Sequence, residues 1–275
     1  MMSTMQKINL YTLLIVLFIS AVIITACNQN YVVLSNDGKI ISEKSFPISP
    51  GKTLIVNVAG TDVSINRWNK PEVYIKVLGN ENAKEKLDIN YRNDDSSVEL
   101  SIKMKHSFFN WFNGISLAVE IKVPEKFNVN VSTSGGDITL TDVSGEHQLE
   151  TSGGDINCRG FTGNLKVSTS GGDVSLKGMD SQIDAGTSGG DIVLDYSGEN
   201  LGINLSTSGG DIDVKLPADF NAAMEISTSG GDVSCNLNMN NIDKNTEDEI
   251  IADLNNGGNL FSASTSGGDI SVRKK

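Results

Sequence analysis

Histidine, tryptophan, cysteine and proline are scarce in this 275-residue chain, with two, two, three and five copies. With only His106 and His147 available, a histidine-rich metal centre is excluded. Cysteines at positions 27, 158 and 235 are too few and too scattered for the dense disulfide framework of a small secreted domain. Positive charge is in deficit too. Lysine and arginine number 22 against 34 acidic residues, a net charge of −12. Such a chain repels nucleic acid and anionic lipid surfaces, and it is able to gather divalent cations. The apolar run from Leu13 to Ile24 falls short of the ~20 residues that span a bilayer.

Glycine, by contrast, is abundant at 28 copies, and it falls in register. The phrase Thr-Ser-Gly-Gly-Asp-(Ile/Val) occurs seven times, with aspartates at Asp137, Asp155, Asp173, Asp191, Asp211, Asp232 and Asp269. The intervals are 18, 18, 18, 20, 21 and 37 residues. A period near 20 signals one structural unit stacked on itself. After each Asp, apolar residues alternate with small or polar ones, as in Ile156-Asn157-Cys158 and Ile192-Val193-Leu194. Before each Thr the same alternation runs backward, as in Val167 and Leu165, or Ile226 and Met224. Period-two patterning on both sides predicts two short strands per repeat. Ser-Gly-Gly is then the corner between them, expected to need positive φ. Gly145, Gly163, Gly178 and Pro217 fall in the looser return.

The fold class expected is therefore all-β: a parallel β-solenoid of 18–21-residue turns over residues 133–275, with a less regular β cap and first turns over 51–132. Within the cap, Leu54–Ile65 reads as a degenerate repeat carrying Gly60-Thr61-Asp62-Val63. Further strands are expected at Val73–Val77, Leu87–Tyr91, Ser97–Met104 and Leu117–Val123. Residues 236–260 read as an insert. Its segment Thr246–Leu254 looks like a short helix with Thr246 as N-cap, followed by a worn repeat at Asn256–Leu260. Arg273-Lys274-Lys275 reads as a charged end that discourages strand addition. Cys158 and Cys235 share the inward site three after Asp, four motifs or roughly 19 Å apart at the strand spacing. They are expected to be buried free thiols.

Residues 1–26 read as a secretion signal with Lys7 as its basic start. Its end, Ile24-Thr25-Ala26-Cys27, resembles a bacterial lipobox, which implies lipid attachment at Cys27. Residues 27–50 then form the lipidated start and a linker, and removal of the signal leaves the chain near −13. Asn28 after the cysteine is similar to Gram-negative sorting toward the outer membrane. The location expected is thus secreted, lipid-anchored and in the cell envelope.

The repeated turns, the Leu54–Ile65 start followed by Trp68, and the final Ser262–Ile270 stretch resemble the DUF4097 family of candidate adhesins. The resemblance covers roughly residues 50–275 and extends to the related head GIN domain. It implies a β-solenoid, surface attachment or an envelope-stress role, and no catalytic residues.

Two candidate sites follow. Seven carboxylates in register repel one another by about 1 kcal/mol per ~5 Å neighbour pair in water. They are offset either by hydrogen bonds from glycine amides and Ser or Thr hydroxyls, or by Ca²⁺ bridging neighbouring turns. The aromatic cluster Phe108, Phe109, Trp111 and Phe112 either plugs the solenoid end or forms a patch for a membrane or partner. The function expected is a non-catalytic, lipid-anchored scaffold binding a glycan, matrix protein or envelope protein. A regulatory module in an envelope-stress pathway is the alternative. A polysaccharide-active enzyme, using pairs such as Asp213 and Lys215, is the third reading.

Overall fold

A computed structural model of the protein describes residues 38–48, 51–105 and 114–275, all within one compact unit, Asn36–Lys275. Cys27, Phe108, Phe109, Trp111 and Phe112 lie outside the described residues. The described fold is the expected parallel β-solenoid, built from two rows of stacked strands joined by corners on one side and returns on the other.

The row that follows the corners begins with an antiparallel cap. This is β1 (Lys39–Pro47) on β4 (Glu72–Gly79), and β4 on β7 (Leu117–Pro124). Parallel pairing then continues through β3 (Asp62–Trp68), β9 (Ile138–Thr141), β11 (Ile156–Ser168), β12 (Val174–Gly186) and β13 (Ile192–Ser197). It ends with β15 (Ile212–Leu216), β21 (Ile270–Lys274) and β17 (Val233–Cys235).

The row that precedes the corners starts with β5 (Leu87–Asn93) antiparallel to β6 (Ser97–Met104). It proceeds in parallel through β2 (Thr53–Asn57), β8 (Asn128–Ser132) and β10 (Ser144–Glu150). Next come the second halves of β11 and β12, then β14 (Ile203–Ser206), β20 (Leu260–Thr265) and β16 (Ala222–Thr228). A hairpin of β19 (Glu249–Leu254) and β18 (Met239–Asn245) closes this end.

Inward columns run the length of each row. One reads Ile138, Ile156, Val174, Ile192, Ile212, Ile270 and Val233, all buried. Burying each such side chain contributes about 1.5–3 kcal/mol. Aromatics fill the wider places: Phe220 sits edge-on to Tyr196 and to Phe261, at 5.8 and 6.5 Å between ring centroids. At the other end Phe46 packs on Tyr91 at 5.9 Å, and the short helix α1 (Glu81–Lys86) inserts Ala83.

Several expectations are corrected. Coils do not stack in chain order. The β20–β21 coil is inserted between β14–β15 and β16–β17, and the β2–β3 coil lies between β6–β7 and β8–β9. Arg273-Lys274-Lys275 therefore closes an interior strand, not a sheet end. Thr246–Leu254 is not helical: Ile250, Ala252 and Leu254 point inward at period two from β19. No worn repeat exists at Asn256–Leu260. Residues 255–259 instead turn back from the hairpin, with Asn255, Gly257 and Gly258 at positive φ. The stretch 27–50, read as linker, contains strand β1. Both thiols are free, but Cys235 is only half-buried, on the short end strand β17. The inserted coil puts five rungs between Cys158 and Cys235 (through Leu176, Leu194, Val214 and Val272). That is ~24 Å at the strand spacing, well beyond disulfide reach.

His147 is the one polar residue in its inward column, stacked between Val129 and Leu165. It is 3% exposed; Nε2 lies 3.2 Å from the Val143 carbonyl and Nδ1 has no partner. Burial pulls its pKa from 6.5 to about 4, with the Val143 contact opposing. The folded state thus holds the ring neutral while the unfolded chain protonates near pH 6.5. Stability is full above that pH and falls as pH drops toward 4, by about 3 kcal/mol over the window. His147→Leu removes both this dependence and an orphaned polar atom, worth about 1–3 kcal/mol. Denaturant unfolding from pH 7 to pH 4 should show the variant more stable throughout, with the gap widening in acid.

Candidate functional site: the aspartate corner

The corner is built from Thr, the second Gly and Asp, each contacting a neighbouring rung. Thr151 Oγ1 donates to the Gly136 carbonyl at 3.0 Å and accepts the Gly154 amide at 3.3 Å. Thr169, Thr187 and Thr207 repeat both bonds. These threonines are buried, with 4–8% exposure. Their hydroxyls thereby satisfy backbone groups that burial would otherwise leave unpaired.

Each aspartate except the terminal Asp232 then reaches one rung along the stack. Asp137 Oδ1 accepts the Asp155 amide at 2.9 Å, Asp155 the Asp173 amide at 2.8 Å, and Asp173 the Asp191 amide at 2.8 Å. Asp191 serves Asp211, Asp211 serves Asp269, and Asp269 serves Asp232. All seven expected aspartates are therefore brought together, with Asp269 between Asp211 and Asp232. The ladder also contains an eighth member: Asp62 Oδ1 accepts the Asp137 amide at 3.0 Å. The degenerate Gly60-Thr61-Asp62-Val63 phrase was its sequence signal. The amide partners differ from those expected. The carboxylates take the amide of the following aspartate, not those of glycines.

The glycines are needed for a reason other than φ. None in the seven Thr-Ser-Gly-Gly-Asp corners has positive φ. Instead, a Cβ on the second glycine would overlap the carbonyl of the preceding rung: Gly154 against Gly136, Gly172 against Gly154, Gly190 against Gly172. The first glycine is roomier, with the nearest atoms at Gly171 3.8 Å away.

Among the described residues no group of three or more His, Cys, Asp or Glu side chains is clustered for a metal ion. Asp213 and Lys215 both project outward from β15, but Arg273 on the neighbouring strand engages the Asp213 carboxylate. Lys275 and Lys177 similarly hold Asp195 below the usual carboxylate range.

Asp173→Ala should cost about 1 kcal/mol, because the exposed Asp191 amide turns to water instead. Asp173→Asn keeps an acceptor oxygen and should be near neutral. Thermal unfolding checks both, and neither value should depend on whether calcium or a chelator is present.

Fold and corner together define a repeat-built β-solenoid with a hydrogen-bonded aspartate spine. The chain belongs to the Toastrack DUF4097 family, whose model matches residues 125–273, more than half of its length. No curated protein matches it. Among solved structures it is similar to a candidate adhesin from Bacteroides fragilis, at 16% identity and TM-score 0.40, covering 84% of this chain and 96% of that one. It is also similar to a candidate lipid-binding protein from Parabacteroides distasonis, at 15% identity and TM-score 0.41 over 84% and 96%. A candidate cell adhesion protein from Clostridium sporogenes shares 18% identity at TM-score 0.33, over 85% and 99%. No helix among the described residues is long and apolar enough to cross a membrane.

Proposed function

We propose that the protein is a non-catalytic binding scaffold, attached to the cell envelope through a lipid on Cys27, that presents its solenoid faces to a glycan or protein ligand. The observation that carries this is the outward surface. Polar side chains recur there rung after rung at ~4.8 Å, a pattern suited to an extended ligand rather than a single reacting bond. The direction agrees with the attachment role that the family resemblance implies. The aspartate ladder is a structural corner in this reading. Its Oδ1 atoms are spent on backbone amides, so the repulsion along it is offset without a cation. The outer membrane, facing outward, is the location proposed.

The test uses intact cells fed an alkyne-tagged fatty acid. The wild-type chain should take up the label and be shaved by external protease, and Cys27→Ser should lose the label and leave the membrane fraction. Retained label and membrane attachment in Cys27→Ser would refute the anchor. Resistance to external protease would refute surface display.

A further inference from the structure

The scaffold reading leaves open which part of the surface takes the ligand. One stretch of the row before the corners differs from the rest. Between β2 and β12 it holds a shallow groove of about 510 Å³, adjoining a second of about 380 Å³, with Asn128 lining both. Along the groove the two outward columns carry Asn128, Asn130, Gln148, Asn164 and Gln182, on successive rungs. Farther along, the column of Asn128, Glu146, Asn164 and Gln182 changes to Gly202, Leu260 and Ala223, and the groove ends. The next outward column reads Ser132, Glu150, Ser168, Gly186 and Ser206, small except for Glu150.

Three of the five amides are available: the side chains of Asn130, Asn164 and Gln182 make no hydrogen bond among the described residues, and they stand on paired strands. Gln148 Nε2 donates to Glu150 at 2.7 Å, and Asn128 Oδ1 accepts the Glu146 amide at 3.0 Å. A carboxamide both donates and accepts, which matches a hydroxyl on either count. Charge in the larger groove nearly cancels: Lys166 pairs with Asp184 at 3.8 Å, leaving Glu146 as the excess. The adjoining groove carries Lys126 and Lys52, the latter bonded to Asn93 at 2.9 Å. A polyanion would meet that carboxylate and the net negative charge of the chain. The rim toward the return is low, because Gly145 and Gly163 stand there at positive φ without side chains. The rung spacing of ~4.8 Å is comparable with the length of one pyranose ring.

We infer that this groove binds a neutral glycan chain lying along the stacking axis, with the Asn and Gln side chains of successive rungs bonding hydroxyls of successive sugars. The inference rests on the scaffold reading and narrows it to one face and one ligand class. Protein ligands are less suited, because the groove offers side chains rather than a strand edge for backbone pairing.

The experiment is calorimetric titration of the protein with neutral hexasaccharides (cellohexaose, xylohexaose, mannohexaose and maltohexaose), with polygalacturonate and a matrix-protein panel as other classes. At least one neutral hexasaccharide should bind. Asn164→Ala and Gln182→Ala should each weaken it roughly tenfold, the loss of one good hydrogen bond. Both should leave the melting temperature in place, since these side chains project outward. Ser206→Ala and Ser264→Ala, outside the groove, should change nothing. Neutral-glycan binding that survives both amide variants, or binding only to polygalacturonate or protein, would overturn the groove while leaving the scaffold reading intact. No binding to any class would overturn both.

Discussion

Gly172→Ala is expected to destabilise the protein by about 3 kcal/mol or more, whereas Gly171→Ala, one residue earlier, should change stability by less than about 1 kcal/mol. The two glycines look equivalent in sequence, and neither has positive φ. They differ in what lies beneath. The added methyl at Gly172 would overlap the carbonyl of Gly154 and crowd the Asp155 carboxylate, while Gly171 has only ordinary contacts. Backbone on the neighbouring rung cannot rotate away as a side chain would. Relief would require the rungs to separate, stretching the Asp155–Asp173 and Thr169–Gly154 hydrogen bonds. Denaturant unfolding of the two variants side by side separates the clash from any general need for glycine. Equal effects would place the cause in backbone freedom instead.

Deleting residues 260–275 should release everything from β16 onward, far more than the loss of a terminal strand normally does. The segment is interior in both rows. It buries Phe261, Ala263, Ile270 and Val272, and its aspartate joins Asp211 to Asp232. Without it, β16 and β17 have no neighbour in the stack except the hairpin. Limited proteolysis should then digest residues 217–258 while the coils from β2 to β15 persist. A point substitution gives the same message. Val272→Asp places a charge at 1% exposure between two strands and should cost more than about 3 kcal/mol. Val193→Asp, outward and 42% exposed on the same row, should cost little. If Val272→Asp were as mild as Val193→Asp, the inserted position of β21 would be wrong.

Much of this fold was legible because one physical rule repeats. Alternation on both sides of Thr-Ser-Gly-Gly-Asp marks the inward columns, and it placed Cys158 and Cys235 in the same one. The order of the coils was not legible. Near-identical corners stack on one another equally well, so the sequence of a corner does not say which corner is its neighbour. The connections decide that, through the Pro217 segment, the β18–β19 hairpin and the turn at Asn255–Gly258. The expected helix at Thr246–Leu254 shows a local signal losing to a longer one. Thr246 Oγ1 does accept the Glu249 amide at 3.1 Å, as an N-cap would. The following Ile250, Ala252 and Leu254 nevertheless bury at period two against β16. The ladder was legible as a row of carboxylates, but not its bonding, because amide partners one rung away are set by register alone. The groove carries no motif, and its amides become neighbours only through stacking.

The proposal of a surface for binding rather than for catalysis is tested most directly by applying a soluble fragment, residues 28–275, to an array of glycans and matrix proteins, once with calcium and once with a chelator. The expected result is binding that persists in both conditions. Binding lost with the chelator would return the Asp137–Asp269 ladder to the role of a cation site. No binding in either would contradict the scaffold account and point to a regulatory partner within the same envelope.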